Sequence, residues 1–384
     1  MESFPEKEWS HSTSSQWNQY HPGKNQDICF SKVSRIMNTA PLVYIILVNY
    51  KNWQDTAECL ESVFKLRYSN FRVVVVDNAS ENGSIEKLEN WADGEYAVAF
   101  ERGFYDIAAV AAAPVSKPLP YMSLSARHIE GAIPDDRQLF LVKSDKNLGF
   151  AGGNNVGIEL ALSHGADYVW LLNNDTVVAA DTLTQLHLCF VGELHKGRQL
   201  GMLGAKLLYF HDPTLVQAIL GRYKPMLAST EHIGFGQPAT HTFEGLTIQE
   251  NDYVVGASIF VSSAFVKEVG NMTEDYFLYF EEIDWAKRGQ LKHYEINTCL
   301  QAKVYHKEGA SIGGGLKDNS NKSELSDFYS IRNRLIITSK YYRKYLLPVY
   351  LSLIFVVANR IRRKQLNRIP LIIKAFKSYY RRTS

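Results

Sequence analysis

The chain is short of cysteine, and its last segment has no acid at all. Its 384 residues include four cysteines, Cys29, Cys59, Cys189 and Cys299, far apart and with no C-x-x-C pair among them. That spacing argues against structural zinc and predicts reduced thiols in a cytosolic protein. The first forty residues lack the apolar core of a signal peptide. They are polar, rich in Ser, Asn and Gln, and are expected to form a mostly disordered tail. There is no G-x-G-x-x-G fingerprint, no phosphate loop ending in G-K-[ST] and no internal repeat. From Lys340 onward there are 12 Lys or Arg and no Asp or Glu, although the net charge of the whole chain is only +2. The remainder is therefore acidic. A basic tail beside an acidic body predicts an anionic surface as partner.

Apolar residues make up 46% of the chain, enough for the core of one large domain or two ordinary ones. YIILVNY (44–50), FRVVVVDNAS (71–80), LFLVKS (139–144) and YVWLLNNDT (168–176) carry continuous apolar runs, the pattern of strands buried on both faces of a parallel sheet. DTAECLESVFKL (55–66) has helical spacing between the first two, which makes a βαβ unit with a right-handed crossover. About 92–138, with Pro114, Pro118, Pro120 and Pro134, reads as an irregular insertion with a short helix of its own. NLGFAGGNN (147–155) reads as a glycine-rich turn opening onto a helix at 156–165. GMLGAKLLYF (201–210) and DYVVGASIFVS (252–262) read as strands, and FLYFEEIDWAKRG (277–289) as helical after Phe280. Near the end, YLLPVYLSLIFVVA (345–358) and PLIIKAFKSYYRR (370–382) each join apolar and basic residues. They predict two amphipathic helices, lying on an anionic leaflet or packed on the domain with a solvated basic face. The first run is shorter than the roughly 20 residues that span a bilayer.

Two of the buried strands end in an acid, Asp77 and Asp175. In a parallel sheet both reach the carboxyl edge, where open α/β folds bind ligands. Asp175 suits a hard divalent cation carrying a phosphate group, or caps the next helix. Asp77 suits a nucleotide base or ribose, or serves as a turn residue. The turn at 147–155 offers backbone N–H groups to a phosphate. Glu281, Glu282 and Asp284 lie within one helical turn among Phe277, Tyr279, Phe280 and Trp285, an unusual setting for solvated acids and one that suits a general base. His306 ends a short strand before a glycine-rich loop and is a candidate metal or phosphate ligand, with Gly313–Gly315 as a lid hinge.

Seven of these stretches, YIILVNY, VVVVDNAS, NLGFAGGNN, YVWLLNNDT, DYVVGAS, FLYFEEIDW and VYHKEGAS, together resemble the family 2 glycosyltransferases of the GT-A fold, in particular their rhamnosyltransferase-like branch. The resemblance covers about Leu42 to Arg334. It implies an α/β fold, Rossmann-like, with a mostly parallel sheet flanked by helices. It further implies that Val48, Asn49, Tyr50 and Asp77 line the nucleotide pocket, and that Asn147, Gly152, Gly153, Asn154 and Asn174 face the donor. Asp175 and His306 would hold Mg2+ or Mn2+, Gly256, Ala257 and Trp285 would shape the acceptor site, and Glu282 would be the catalytic base. Two departures stand out. The metal position reads Asn173-Asn174-Asp175, with one carboxylate, and the base is Glu where Asp is usual, which keeps Glu281 and Asp284 as alternatives.

The expected organisation is a tail (1–40), a glycosyltransferase domain (41–335) and a membrane-associating helical tail (336–384). The expected activity is inverting transfer from a nucleoside-diphosphate sugar, with dTDP-rhamnose as the donor the branch suggests, to a glycan or lipid-linked saccharide. The expected location is the cytoplasmic face of the cell membrane, with no nucleic acid as partner. A sugar-nucleotide nucleotidyltransferase and a non-catalytic glycan-binding protein are the competing readings.

Overall fold

Five parallel strands form one wing of the central sheet. β1 (Val43–Asn49) and β2 (Phe71–Asp77) pair from Val43 with Phe71 to Asn49 with Asp77. β4 (Leu139–Lys143) adds to β2, and β5 (Tyr168–Leu172) lies on the other side of β1, both in parallel. The computed structural model describes residues 40–98, 114–131, 134, 136–307 and 324–383. The expected N-terminal tail, except Ala40, and the glycines 313–315 fall outside these residues. The continuous apolar runs have the predicted cause: Tyr44, Ile45, Ile46, Val73, Val74, Val75 and Val76 are all fully buried, so both faces of the sheet are covered.

The other wing is mixed. Its strands are β6 (Thr176–Val178), β7 (Leu200–Tyr209), β12 (Ser258–Ser262) and β13 (Glu295–His306). With β3 (Tyr121–Ser125) at the far edge, the order is β3-β4-β2-β1-β5-β12-β7-β13-β6. β12 runs antiparallel to both β5 and β7, and β13 runs parallel to β7. A short β8 (Val216–Ala218) pairs with β7, and β9 (Leu220–Lys224), β10 (Ser229–Ile233) and β11 (Asp252–Tyr253) make a small separate sheet. The helices α1 (Trp53–Val63), α2 (Ser84–Asp93), α3 (Gly149–Ser163), α4 (Thr182–His195), α5 (Ser263–Val269) and α6 (Glu281–Gln290) connect the strands and flank the sheet. This is the α/β arrangement expected. Strand order reverses at β1, so β2 and β5 diverge there and open a crevice at their carboxyl ends.

Several local expectations need correction. The segment 92–138 is less irregular than its prolines suggest: α2 runs to Asp93 and β3 adds a parallel strand to β4, while 99–113 lie outside the described residues. The run 252–262 is two strands, interrupted at 254–257. α3 begins at Gly149, so Gly152 and Gly153 lie inside a helix rather than in a phosphate-cradling turn. Cys189 on α4 and Cys299 on β13 are joined by a disulfide with Cα atoms 6.0 Å apart, against the expectation of reduced thiols. Cys59 is free and buried, and burial pushes its thiol up to about 12.

The C-terminal segment packs on the domain. α7 (Glu324–Tyr341) runs through the boundary expected at 335/336 without a break. α8 (Leu346–Arg362) and α9 (Ile369–Thr383) follow, docked through Val349, Leu353, Ile372, Ala375 and Tyr379. Arg360 and Arg368 both donate to the buried carboxylate of Asp327 on α7. With its preceding turn, the α8 run Arg343–Arg362 is 20 residues, long and apolar enough to cross a bilayer by length and composition alone.

Gly149 marks a tight joint between α3 and the segment before α6. Its φ is +72°, and a Cβ there would lie 2.2 Å from the carbonyl oxygen of Phe277. Gly149→Ala is expected to lower stability by about 1–3 kcal/mol from the backbone conformation alone, and more from the clash. Urea unfolding measures it, and a wild-type midpoint would show that the joint relaxes freely.

Candidate active site

The carboxyl edge of the parallel wing brings Asn49, Asp77 and the 173–175 turn together. Asn49 is fully buried, and its Nδ2 donates to Asp77 Oδ1 (2.7 Å) and Ser80 Oγ (3.2 Å) while its Oδ1 accepts from Thr56 Oγ1 (3.0 Å). Asp77 Oδ2 also accepts from the Ser80 N–H at 3.2 Å. Asp77 is thus a buried acceptor held rigidly beneath the crevice, flanked by the half-buried Val48 and Tyr50. Asn174 Nδ2 donates to Thr56 Oγ1 (2.9 Å) and the Asn52 carbonyl (3.3 Å), which pins the turn after β5 to the start of α1.

That pinning leaves Asp175 facing His306. Asp175 Oδ1 lies 3.2 Å from His306 Nε2, and Asn173 Nδ2 lies 3.3 Å from the same nitrogen. On the far side of the ring, His306 Nδ1 is 2.9 Å from Gln217 Oε1. An amide oxygen can only accept, so Nδ1 carries a proton and Nε2 presents either a second proton or a lone pair to the carboxylate. A lone pair and a carboxylate oxygen at that distance call for positive charge between them. Burial alone would raise the Asp175 carboxyl, but the charge and hydrogen bond of His306, with Lys307 beyond, hold it below the ordinary carboxylate value. The pair offers one hard oxygen and one imidazole nitrogen with an oriented partner, a donor set that suits Mg2+ or Mn2+ if a substrate and water complete the shell. Among the described residues no group of three or more His, Cys, Asp or Glu is placed to hold a metal by itself.

A series of contacts leads from this pair toward the segment before α6. The Asn173 N–H donates to the Ala257 carbonyl (3.0 Å), Gly256 faces the Phe150 ring, and the Phe150 N–H donates to the Phe277 carbonyl (2.8 Å). Phe277 opens the turn that leads into Glu281 and Glu282. The three acids of α6 have separate environments. Asp284 is fully buried and accepts from Tyr276 Oη, Arg288 Nε, Lys340 Nζ and Tyr341 Oη. Burial would raise it, yet Lys340 and Arg288 hold it below the ordinary value, so it is a structural anion and not a base. Glu281 is buried with one carboxyl oxygen unpartnered, and burial beside Glu282 raises it well above the ordinary value. Glu282 is half-buried, and desolvation pushes its carboxyl up to about 7.

Residues 44–103 match the model of the family described as Glycosyl transferase family 2. The match supports a family 2 glycosyltransferase. A relative from Haloferax volcanii, the low-salt glycan biosynthesis hexosyltransferase Agl10, is 20% identical over 214 residues. The aligned part is 53% of this chain and 61% of that protein, so the chain spans less than two thirds of its relative. Among solved structures, S. aureus TarS 1-349 in complex with UDP-GlcNAc aligns with a TM-score of 0.47 at 14% identity, covering 88% of this chain and 80% of that one. The mannosyltransferase PcManGT from Pyrobaculum calidifontis, in complex with GDP-Man and Mn2+, aligns with a TM-score of 0.44 at 13% identity, covering 92% and 94%. Similarity at that level carries nothing further about the site.

The structure places Asn49, Asp77 and the Asp175–His306 pair at the carboxyl edge of the sheet and Glu282 at the start of α6. Other site expectations need correction. Trp285 is fully buried, donates its indole N–H to the Gly270 carbonyl and packs on Phe265, so it cannot meet an acceptor. A Cβ on Gly152 would lie 2.6 Å from Leu148 Cβ, and one on Gly153 would lie 2.8 Å from Val48, so these glycines serve close helix packing. Asn147 Oδ1 accepts from the Gly149 N–H and from Asn78 Nδ2, and Asn154 Nδ2 donates to the Phe150 carbonyl, which makes both part of the scaffold of α3. Sequence reasoning missed Gln217, which carried no signal of its own. It also missed Lys307, which bonds Asp55 and Glu58 on α1 and could have been noticed beside His306.

The Glu282 value sets a direction for pH. A base must be ionised, so turnover limited by Glu282 is expected to rise with pH through about 7. The folded state retains this proton where the unfolded chain has lost it, so the group's contribution to stability falls as pH rises from 4.5 toward 7. A pH profile of kcat/KM checks the first point, and an ascending limb in the ordinary carboxylate range would contradict it.

Proposed function

We propose that this protein is an inverting glycosyltransferase that moves a sugar from a nucleoside-diphosphate donor to a hydroxyl of a glycan or lipid-linked saccharide. The observation that carries the reading is the presence of two oppositely tuned carboxyls: Asp175 held ionised beside His306, and Glu282 raised to about 7. The family match and the hexosyltransferase relative support it. Asp77 and Asn49 would receive the nucleoside, and Asp175 and His306 would hold Mg2+ or Mn2+. A divalent cation there supplies charge to offset the leaving diphosphate. Glu282 would take the proton of the attacking hydroxyl as the bond to the anomeric carbon forms and the bond to the diphosphate breaks. Attack from the face opposite the leaving group inverts the anomeric centre. The rhamnosyltransferase-like motifs favour dTDP-rhamnose as donor.

The protein is further proposed to rest on the inner face of the cell membrane through α8 and α9. Leu347, Leu351, Ile354 and Phe355 share one face of α8 and are 50–71% exposed, while Val349 and Leu353 on the other face are buried against the domain. A helix with one face committed to a soluble domain suits an interface better than a span. Arg343, Lys344, Arg362, Arg363 and Lys364 flank the apolar face for anionic lipid.

Screening UDP-, GDP- and dTDP-linked sugars for nucleoside diphosphate release is expected to identify one preferred donor with the wild type. Glu282→Gln should lower kcat by roughly 100-fold or more with donor binding kept. Asp175→Ala should abolish the response to Mg2+ or Mn2+. No release from any donor, with glycan binding intact, would favour a non-catalytic role. In vesicle sedimentation, phosphatidylglycerol vesicles should retain the protein and phosphatidylcholine vesicles should not, with Leu351→Glu and Phe355→Glu together abolishing retention. Equal retention on both lipids would remove the electrostatic part of the reading.

A further inference from the structure

The turn that delivers the acids of α6 is strained. Phe277, Tyr279 and Phe280 have φ values of 64°, 70° and 77°, a region that non-glycine residues seldom enter and that costs about 1–3 kcal/mol at each. The turn has a use. It delivers Glu281 and Glu282 at the first turn of α6. A turn of this kind persists only where its surroundings over-determine it; besides the Phe150 N–H on the Phe277 carbonyl, two adjacent residues of α7 bond its backbone.

Asn333 is fully buried. Its Nδ2 donates to three carbonyls of the turn, Tyr276 (2.8 Å), Leu278 (2.7 Å) and Tyr279 (3.1 Å). Its Oδ1 accepts from Arg332 Nε at 2.9 Å. Arg332 Nη2 donates to the carbonyls of Asp275 (2.6 Å) and Tyr276 (3.0 Å). The same guanidinium lies over Tyr329, whose ring stacks on Phe277 at 4.6 Å. One amide thus satisfies carbonyls that a regular helix start would have placed elsewhere, and an apolar side chain in its place would take this donor from Leu278 and Tyr279, leaving only Tyr276 to Arg332.

We propose that Asn333 is a positioning residue: by clamping the carbonyls of Tyr276, Leu278 and Tyr279 it holds the left-handed turn that aims Glu282 at the acceptor hydroxyl. This rests on the reading of Glu282 as the base. Asn333 touches neither substrate nor the acids themselves; it acts through the backbone. Asp in its place keeps the size and the bond from Arg332 but sets an oxygen against three carbonyl oxygens. Ser keeps a single donor.

The test compares Asn333→Asp, Asn333→Ser and Glu282→Gln with the wild type, using nucleoside diphosphate release from the UDP-, GDP- and dTDP-linked panel. Asn333→Asp is expected to lower kcat roughly 10- to 100-fold while the donor KM stays within about two-fold, and to displace the ascending limb of the pH profile. Asn333→Ser should fall between it and the wild type. Hydrogen exchange, which needs no substrate, should quicken at Phe277–Glu282 in Asn333→Asp with β1 and β5 unchanged. Wild-type kcat and pH limb in Asn333→Asp, or unchanged protection of 277–282, would overturn the proposal. So would a loss spread over the whole of α7 with KM and kcat affected alike, which is the mark of a merely structural residue. If Glu282→Gln loses turnover and Asn333→Asp does not, the positioning role alone fails; if Glu282→Gln turns over normally, the base assignment falls and the proposal with it.

Discussion

One backbone hydrogen bond joins the two halves of this site: Phe150 N–H, at the start of α3, to the carbonyl of Phe277. α3 belongs to the parallel wing, which carries Asn49, Asp77 and Asp175. Phe277 belongs to the turn that leads to Glu282. The bond forms only because residue 149 is glycine, with positive φ and a Phe277 oxygen in the space a side chain would fill. Two sets of polar groups more than a hundred residues apart in sequence are thereby held in one frame.

Within that frame the same force, desolvation, is answered in opposite ways. At Asp175 it is outweighed by His306 and Lys307, which keep the carboxyl ionised. At Asp284 the cations Lys340 and Arg288 do the same. Among the described residues no cation is bonded to Glu281 or Glu282, and burial raises both. Neighbouring acids on one helical turn are therefore divided by their surroundings into an anchor and a protonatable pair.

The C-terminal helices are tied to this arrangement through α7. Arg360 and Arg368 are spent on Asp327, one residue from Ser326, whose hydroxyl lies 2.7 Å from Tyr279 Oη. Further along α7 come Arg332, Asn333, Lys340 and Tyr341, all bonded to the turn or to Asp284. The tail is therefore not an appendage: its basic residues divide between those that hold α7 and those that remain exposed around an apolar face.

Continuous apolar runs were enough to place β1, β2, β4 and β5, and the acids after two of them marked the edge that carries Asp77 and Asp175, because a strand buried on both faces leaves a continuous signature. The acids of α6 were legible for a related reason: charge among aromatics is rare outside a site. Sequence could not divide labour among Glu281, Glu282 and Asp284, since that depends on Lys340 and Tyr341 arriving from a distant helix. Nor could it show that Gly152 and Gly153 pack a helix rather than cradle phosphate, that Trp285 is buried, or that Cys189 meets Cys299. Each of these is a fact about which surfaces touch. Local pattern determined the elements and the edge; contacts between residues remote in the chain decided what each polar group there is able to do.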